Sequence, residues 1–151
     1  MSFADRDGYI WVDGKLVDWR EANVHLLTHT LHYGSGVFEG VRAYDTGAMG
    51  TCIFRLEDHT NRLFNSAKTI HMTIPFDRAV INAAHCEVVR ANGLKEAYIR
   101  PLVYFGSEGM GLRAQDLKVH VGIAAWEWPS YMDPEAVEKG LKVRTSSYSR
   151  H

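Results

Sequence analysis

The pattern of hydrophobic and polar positions opens with two short apolar runs, residues 9–12 and 15–19, separated by Asp13-Gly14. An Asp-Gly pair between two such runs is a strong local signal for a β-hairpin. The next residues, 20–36, show no clear period. We therefore predict an N-terminal hairpin followed by an irregular segment.

Further strands are predicted on both sides of the middle of the chain. Apolar and polar residues alternate loosely over residues 37–44, and residues 51–54 are a second short β-forming run after a turn-forming stretch. Residues 97–105 and 119–126 are richer in β-forming residues and flank a glycine-rich loop. We expect the two later runs to pair with each other.

Between these strands the period changes to that of amphipathic helices. The apolar face of the first helix, within residues 55–72, consists of Leu56, Leu63, Phe64, Ala67 and Ile70. Asp77 is a candidate N-cap for a second helix and Gly93 a candidate stop. The apolar face of the second helix consists of Val80, Ile81, Ala84 and Val88. Strands and helices that do not alternate regularly predict an α+β fold with two amphipathic helices.

The last part of the chain predicts a change of domain. Residues 141–147 resemble a new strand, and they follow an irregular segment over residues 129–134. We expect a small domain over residues 1–132, a linker over residues 133–138, and the start of a second domain over residues 139–151.

Composition and charge exclude several classes of partner. The apolar fraction is 46%, enough for a sizeable core, and the formal net charge of −1 with no basic cluster argues against nucleic acid or an anionic membrane. The first residues include acidic side chains and no apolar run, which is unlike a signal peptide. No apolar stretch is long enough to span a bilayer. We therefore expect a cytoplasmic protein in which Cys52 and Cys86 are buried free thiols.

Histidines offer one candidate site. The spacing of His25, His29 and His32 would suit a metal ion if the segment were helical. No carboxylate or cysteine accompanies them, and Thr28, Thr30 and Gly34 disfavour a regular helix. Loop and core hydrogen bonds are the favoured interpretation, so we predict no metal site.

Arginines and aromatic residues offer other candidates. Arg62 shares a helix face with His59 and Ser66 and is either a solvated charge or a phosphate ligand, for which a guanidinium is well shaped. Tyr98 and Arg100 project to the same side of an extended strand, which is either a surface or a carboxylate site. The aromatic residues within 126–131 either line an apolar pocket or cover a domain edge.

Four motifs together resemble a known family: HYGSGVFEGVRAY (32–44), RLEDHTNRLFNSAK (55–68), AYIRPLVYFGSEGMGL (97–112) and AAWEWPSYM (124–132). Their order and spacing are similar to those in the N-terminal small domain of fold-type IV pyridoxal-phosphate aminotransferases, above all the branched-chain amino acid aminotransferases. The resemblance implies a two-layer small domain with an antiparallel sheet, and it places residues 139–151 at the start of the cofactor-binding domain.

The resemblance also implies roles for individual residues. Arg62 matches the residue that holds the phosphate of pyridoxal 5'-phosphate. Tyr98 matches a contact of the substrate carboxylate, and Arg100 the residue that accepts the distal carboxylate of glutamate. The rest of the substrate pocket is matched by Phe38, Gly40, Tyr33, Leu112, Trp128 and Tyr131. The resemblance implies a homodimer or larger homo-oligomer in which some of these residues serve a neighbouring subunit.

The catalytic group is expected elsewhere. In the family a lysine forms a Schiff base with the cofactor, and the resemblance puts that lysine beyond His151. No lysine of this chain takes the role, so we expect the 151 residues to be inactive alone. The expected parent transfers amino groups between leucine, isoleucine or valine and 2-oxoglutarate. The alternatives are a D-amino acid aminotransferase, an aminodeoxychorismate lyase, or a non-catalytic dimerisation or ligand-binding module.

Overall fold

A computed structural model describes residues 2–128 and 134–149. Its strands are β1 (Tyr9–Val12), β2 (Lys15–Asp18), β3 (Gly36–Phe38), β4 (Val41–Asp45), β5 (Thr51–Ile53), β6 (Ala97–Phe105) and β7 (Val119–Trp126). Its α-helices are α1 (His29–Tyr33), α2 (Leu56–Thr69), α3 (Arg78–Ala91) and α4 (Pro134–Lys139). This is the α+β fold with an antiparallel sheet and two amphipathic helices that the sequence predicts.

The strands described form one antiparallel sheet in the order β2-β1-β7-β6-β4-β5, and β3 also pairs with β6. The predicted hairpin is confirmed, because β1 pairs with β2 through a turn in which Asp13 and Gly14 have φ of 47° and 99°. The predicted pairing of the two later runs is confirmed along the whole of β6 and β7.

Helices α2 and α3 pack against one face of the sheet and bury a common core with it. Strand β6 shows why, since its residues alternate between the faces. Those buried toward the helices are Ala97, Ile99, Pro101, Val103 and Phe105. The intervening side chains project from the opposite side of the sheet, which we call the open face.

The helix boundaries follow local signals. The Asp77 side chain accepts a hydrogen bond from the backbone N–H of Val80 at 2.8 Å, which confirms the predicted N-cap, and Gly93 follows α3 with a φ of 62°. The predicted apolar faces are mostly correct, but Ile70 lies just beyond α2 and Val80 in the first turn of α3. Both are more than one-third exposed.

The strand predicted over residues 37–44 is interrupted after Phe38. The interruption lies opposite Pro101, whose carbonyl accepts a hydrogen bond from the Glu39 N–H at 3.1 Å but whose nitrogen cannot donate one in return. Pairing resumes at Val41, opposite Ile99. A missing donor in β6 therefore separates β3 from β4.

Some predictions are wrong. Residues 141–147 form no strand. A strand needs a neighbouring strand to pair with, and none of the strands described pairs with these residues. The segment 20–36 contains the short helix α1, which ends at Gly34 with a φ of 67°. Cys52 and Cys86 are free, as predicted, but exposed rather than buried. Cys52 lies on the edge strand β5, and Cys86 lies on the side of α3 away from the core. The predicted linker overlaps α4, and the domain boundaries remain a prediction.

Candidate active site

The open face gathers several residues singled out in the sequence. Tyr98 and Arg100 alternate with buried residues of β6 and so share this face, as predicted. Phe38 lies opposite Leu102 in the β3–β6 register and joins them. Strand pairing thus brings together residues that are about sixty positions apart in the sequence.

Arg100 lies at the centre of this cluster. Its guanidinium carbon is 4.4 Å from the centroid of the Phe38 ring, and its Nη2 donates a hydrogen bond to the Tyr98 hydroxyl at 2.8 Å. Its Nε is buried and has no hydrogen-bond partner among the described residues. A cation with an unused buried donor is a suitable group for binding a carboxylate.

Gly40 lets Tyr98 take its position. A Cβ atom at Gly40 would overlap the Tyr98 hydroxyl and lie 3.1 Å from Cζ of the same ring. The lack of a side chain at Gly40 therefore lets its backbone and the Tyr98 ring approach each other closely.

Tryptophans border the cluster on the β7 side. The Trp128 ring meets the Tyr98 ring edge-on at 4.8 Å between centroids, and Trp126 lies 5.2 Å from the same ring. Arg42 Nη1 donates to the Trp128 carbonyl at 3.4 Å. The Trp126 Nε1 donor is buried without a hydrogen-bond partner in the described part of the chain. Tyr131, another predicted pocket residue, lies outside the described residues.

Arg62 lies on α2, beside the interruption between β3 and β4. Its Nε and Nη2 donate to the two carboxylate oxygens of Glu39 at 2.6 and 2.7 Å. Glu39 also accepts a hydrogen bond from His59 Nδ1 at 3.0 Å, with the ring tautomer assigned from this contact. The Arg62 side chain is 66% exposed and that of Glu39 only 6%. The arginine thus covers a buried carboxylate and presents its other edge to solvent.

The pKa values of this group follow from its contacts. Burial raises the pKa of the Glu39 carboxyl, but hydrogen bonds and charge from Arg62 and His59 outweigh burial and lower it below its ordinary value. The hydrogen bond to Glu39 in turn raises the pKa of Arg62. Glu39 is therefore ionised at neutral pH.

Tyr33 and Leu112 are not part of the open-face cluster. They line a separate cavity of about 960 Å³, in which the Tyr33 hydroxyl donates to the Met110 carbonyl at 2.8 Å. His29 holds the same loop, since its Nε2 lies 2.9 Å from the Gly111 carbonyl oxygen. Leu112 itself is 86% exposed.

No group of three histidine, cysteine or acidic side chains within residues 2–128 and 134–149 is arranged to hold a metal ion. None of the helices in these ranges is long and apolar enough to cross a bilayer.

Glu39 and His59 are site residues that the sequence analysis did not identify as such. A signal was present, because Val37, Glu39, Val41 and Ala43 occupy alternate positions and the three apolar members face the core. An acidic residue in the same register requires a cation beside it.

Comparison with known proteins is consistent with the four motifs. Residues 36–151 match the family model described as amino-transferase class IV. A branched-chain-amino-acid aminotransferase of Pseudomonas aeruginosa is 65% identical over the whole chain, which corresponds to 49% of that protein. One from Escherichia coli K12 is 41% identical over 94% of this chain and 46% of that protein. The chain spans about half the length of these curated relatives.

Solved structures give the same result. The Escherichia coli branched-chain amino acid aminotransferase superposes with a TM-score of 0.82 at 40% identity, over 87% of this chain and 43% of that one. The branched-chain amino acid aminotransferase from Thermoproteus uzoniensis, a thermophilic archaeon, was crystallised with norvaline. It has a TM-score of 0.80 at 42% identity, over 84% of this chain and 43% of that one. A third branched-chain amino acid aminotransferase, complexed with N-(5'-phosphopyridoxyl)-L-glutamate, has a TM-score of 0.78 at 46% identity, over 82% of this chain and 42% of that one.

Proposed function

Because the chain belongs to the class IV aminotransferase family, we propose that it is part of a branched-chain amino acid aminotransferase. The family resemblance inferred from the motifs is confirmed by these comparisons. The proposed reaction transfers an amino group between leucine, isoleucine or valine and 2-oxoglutarate. The observation that carries the proposal is the open-face cluster, in which Arg100, a cation suited to a carboxylate, lies against the aromatic ring of Phe38.

Pyridoxal 5'-phosphate would supply the electron sink for amino-group transfer when it is bound. The residues of this chain fit the phosphate of the cofactor. Glu39 binds Nε and Nη2 of Arg62, whereas Nη1 of Arg62 makes no hydrogen bond to any described residue. We propose that the two N–H groups of Nη1 bind a phosphate oxygen. Exposure of the guanidinium leaves room for this contact.

The open-face cluster would bind the substrate. The Tyr98 hydroxyl accepts from Arg100, so its own proton is free to be donated to a substrate carboxylate. We propose that Arg100 binds the distal carboxylate of glutamate or 2-oxoglutarate, and that Phe38 and Trp128 contact aliphatic side chains. Burying a leucine-sized group there contributes about 1.5–3 kcal/mol. Gly40 and Tyr131 complete the proposed pocket.

Tyr33 and Leu112 are proposed to serve a second subunit. In one chain they line a different cavity from the open-face cluster, and Leu112 is almost fully exposed. A homodimer or larger homo-oligomer in which each chain lends this loop to its neighbour accounts for both observations. The other proposed partners are small molecules, namely amino acids and 2-oxo acids, and neither nucleic acid nor a membrane is proposed. A cytoplasmic location remains a prediction.

A substrate panel tests the proposal. A full-length protein containing these 151 residues, supplied with pyridoxal phosphate and 2-oxoglutarate, is expected to form glutamate from leucine, isoleucine and valine. D-alanine and aminodeoxychorismate are the controls, because they are substrates of the alternative activities. Turnover of either control with none of leucine would refute the branched-chain assignment.

A further inference from the structure

Glu39 is the most buried carboxylate of the site, and it occupies the position between Phe38 and Gly40. Val37 and Val41, on the same side of the backbone, face the core. Glu39 therefore points away from the substrate cluster and toward α2, where it meets Arg62 and His59. A buried carboxylate costs stability unless it is paired, and here both oxygens accept charged or polar donors.

The Glu39–Arg62 contact constrains the arginine strongly. Two hydrogen bonds of 2.6 and 2.7 Å, one to each oxygen of the same carboxylate, fix the plane of the guanidinium as well as its position. An exposed arginine without such a partner is free to sample many rotamers, and binding a ligand would then have to order it. The bidentate contact orders Arg62 before any ligand arrives.

His59 supports the same carboxylate from the preceding turn of α2. His59 and Arg62 are three residues apart and so lie on one helix face. Nδ1 of His59 is 3.0 Å from Glu39 Oε2, the oxygen that also accepts from Arg62 Nη2. The ring thus limits the rotation of the carboxylate that orients Arg62.

We propose that Glu39 is a positioning residue for the phosphate of the cofactor, acting through Arg62 and assisted by His59. This inference rests on the proposed function. Glu39 does not itself bind the phosphate, since like charges repel. It holds the guanidinium so that Nη1 faces the ligand. Because Glu39 lies between Phe38 and Gly40, a single short segment links the phosphate anchor to the substrate pocket.

The test compares two ligands that differ only in the phosphate. Dissociation constants of pyridoxal phosphate and of pyridoxal are measured for the full-length protein and for Glu39→Gln, which keeps the size and removes the charge. Loss of the charge-assisted pair is expected to weaken pyridoxal phosphate by about 10- to 100-fold, with pyridoxal changed little. Tighter binding of pyridoxal phosphate would mean that Glu39 only repels it, and an equal loss for both ligands would mean a general structural role. Either result overturns the proposal.

His59 provides a second variant that keeps the test decisive if Glu39→Gln folds poorly. The amide N–H of asparagine is able to replace the Nδ1 donor, so His59→Asn should retain most of the preference for pyridoxal phosphate while His59→Ala loses several-fold of it. Equal behaviour of the two His59 variants would overturn the assisting role. If the unsubstituted protein binds neither ligand, the proposed function fails. If it binds both ligands and Glu39→Gln changes neither dissociation constant, only the positioning role of Glu39 fails.

Discussion

The guanidinium carbon of Arg100 lies 4.4 Å from the centroid of the Phe38 ring. This contact gives Arg100 an aromatic partner, in addition to the Tyr98 hydroxyl, when no substrate carboxylate is present. The proposed binding of both aliphatic and acidic substrates requires such a partner, because an unpaired arginine beside a leucine side chain would be costly.

Reducing the negative charge on the face of the Phe38 ring, without changing the shape of the ring, should therefore change the selectivity between leucine and glutamate. With 3,4,5-trifluorophenylalanine at position 38, we expect kcat/KM for leucine to fall by about two- to tenfold, the range of a partly desolvated cation–π contact. The kcat/KM for glutamate should stay unchanged, since we propose that its distal carboxylate pairs with Arg100. Steady-state kinetics with both substrates would check this. Equal losses for the two would show that the ring acts only as a wall.

Gly40→Ala should disturb the substrate site more than the fold. The new Cβ would overlap the Tyr98 hydroxyl and displace the ring, which also holds Arg100. We expect kcat/KM to fall by about 10- to 100-fold, as for misplacement of a positioning group. The thermal midpoint should change by only a few degrees. Gly122→Ala is the matched control in the same sheet, because its Cβ meets nothing within 4 Å. A similar loss in that variant would contradict the steric explanation.

The ion pair of Glu39 should make stability depend on pH. Its pKa is lowered in the folded chain, so its contribution is fully present above about pH 4.5, the ordinary value, and is lost as pH falls through the lowered pKa. We expect Glu39→Gln to reduce the free energy of unfolding by about 1–3 kcal/mol at pH 7, with the difference shrinking in acid. Urea titrations at several pH values would measure it. Glu87→Gln, exposed on α3, is the control. A difference independent of pH would exclude the charge as its cause.

The proposed sharing of the Tyr33–Leu112 loop between subunits predicts complementation. Arg62→Ala and Leu112→Asp should each give inactive protein, but in a mixed dimer both substitutions would fall in the same site and leave the other site intact. Co-expression should restore about a quarter of normal activity, because half the dimers are mixed and each has one intact site. Arg62→Ala mixed with Arg100→Ala is the control and should stay inactive, since both residues belong to one chain's site. Absence of recovery in the first mixture would contradict the shared site.

Local patterns in the sequence determined the elements. The Asp13-Gly14 turn, the Asp77 cap and the alternation along β6 depend on neighbouring residues, and all three formed as predicted. The shared face of Tyr98 and Arg100 follows from the two-residue period of a strand. The sequence motifs also identified the family, because they keep its order and spacing.

Only the tertiary structure decided which partners these residues have. The contact of Arg100 with Phe38 depends on the register of β3 against β6, and the pair of Arg62 with Glu39 depends on the packing of α2 beside that strand. Residues 141–147 show the same limit in reverse, since a β-like pattern formed no strand without a neighbour to pair with. Local periodicity and capping set most of the elements, whereas site chemistry is set by contacts between residues far apart in the chain.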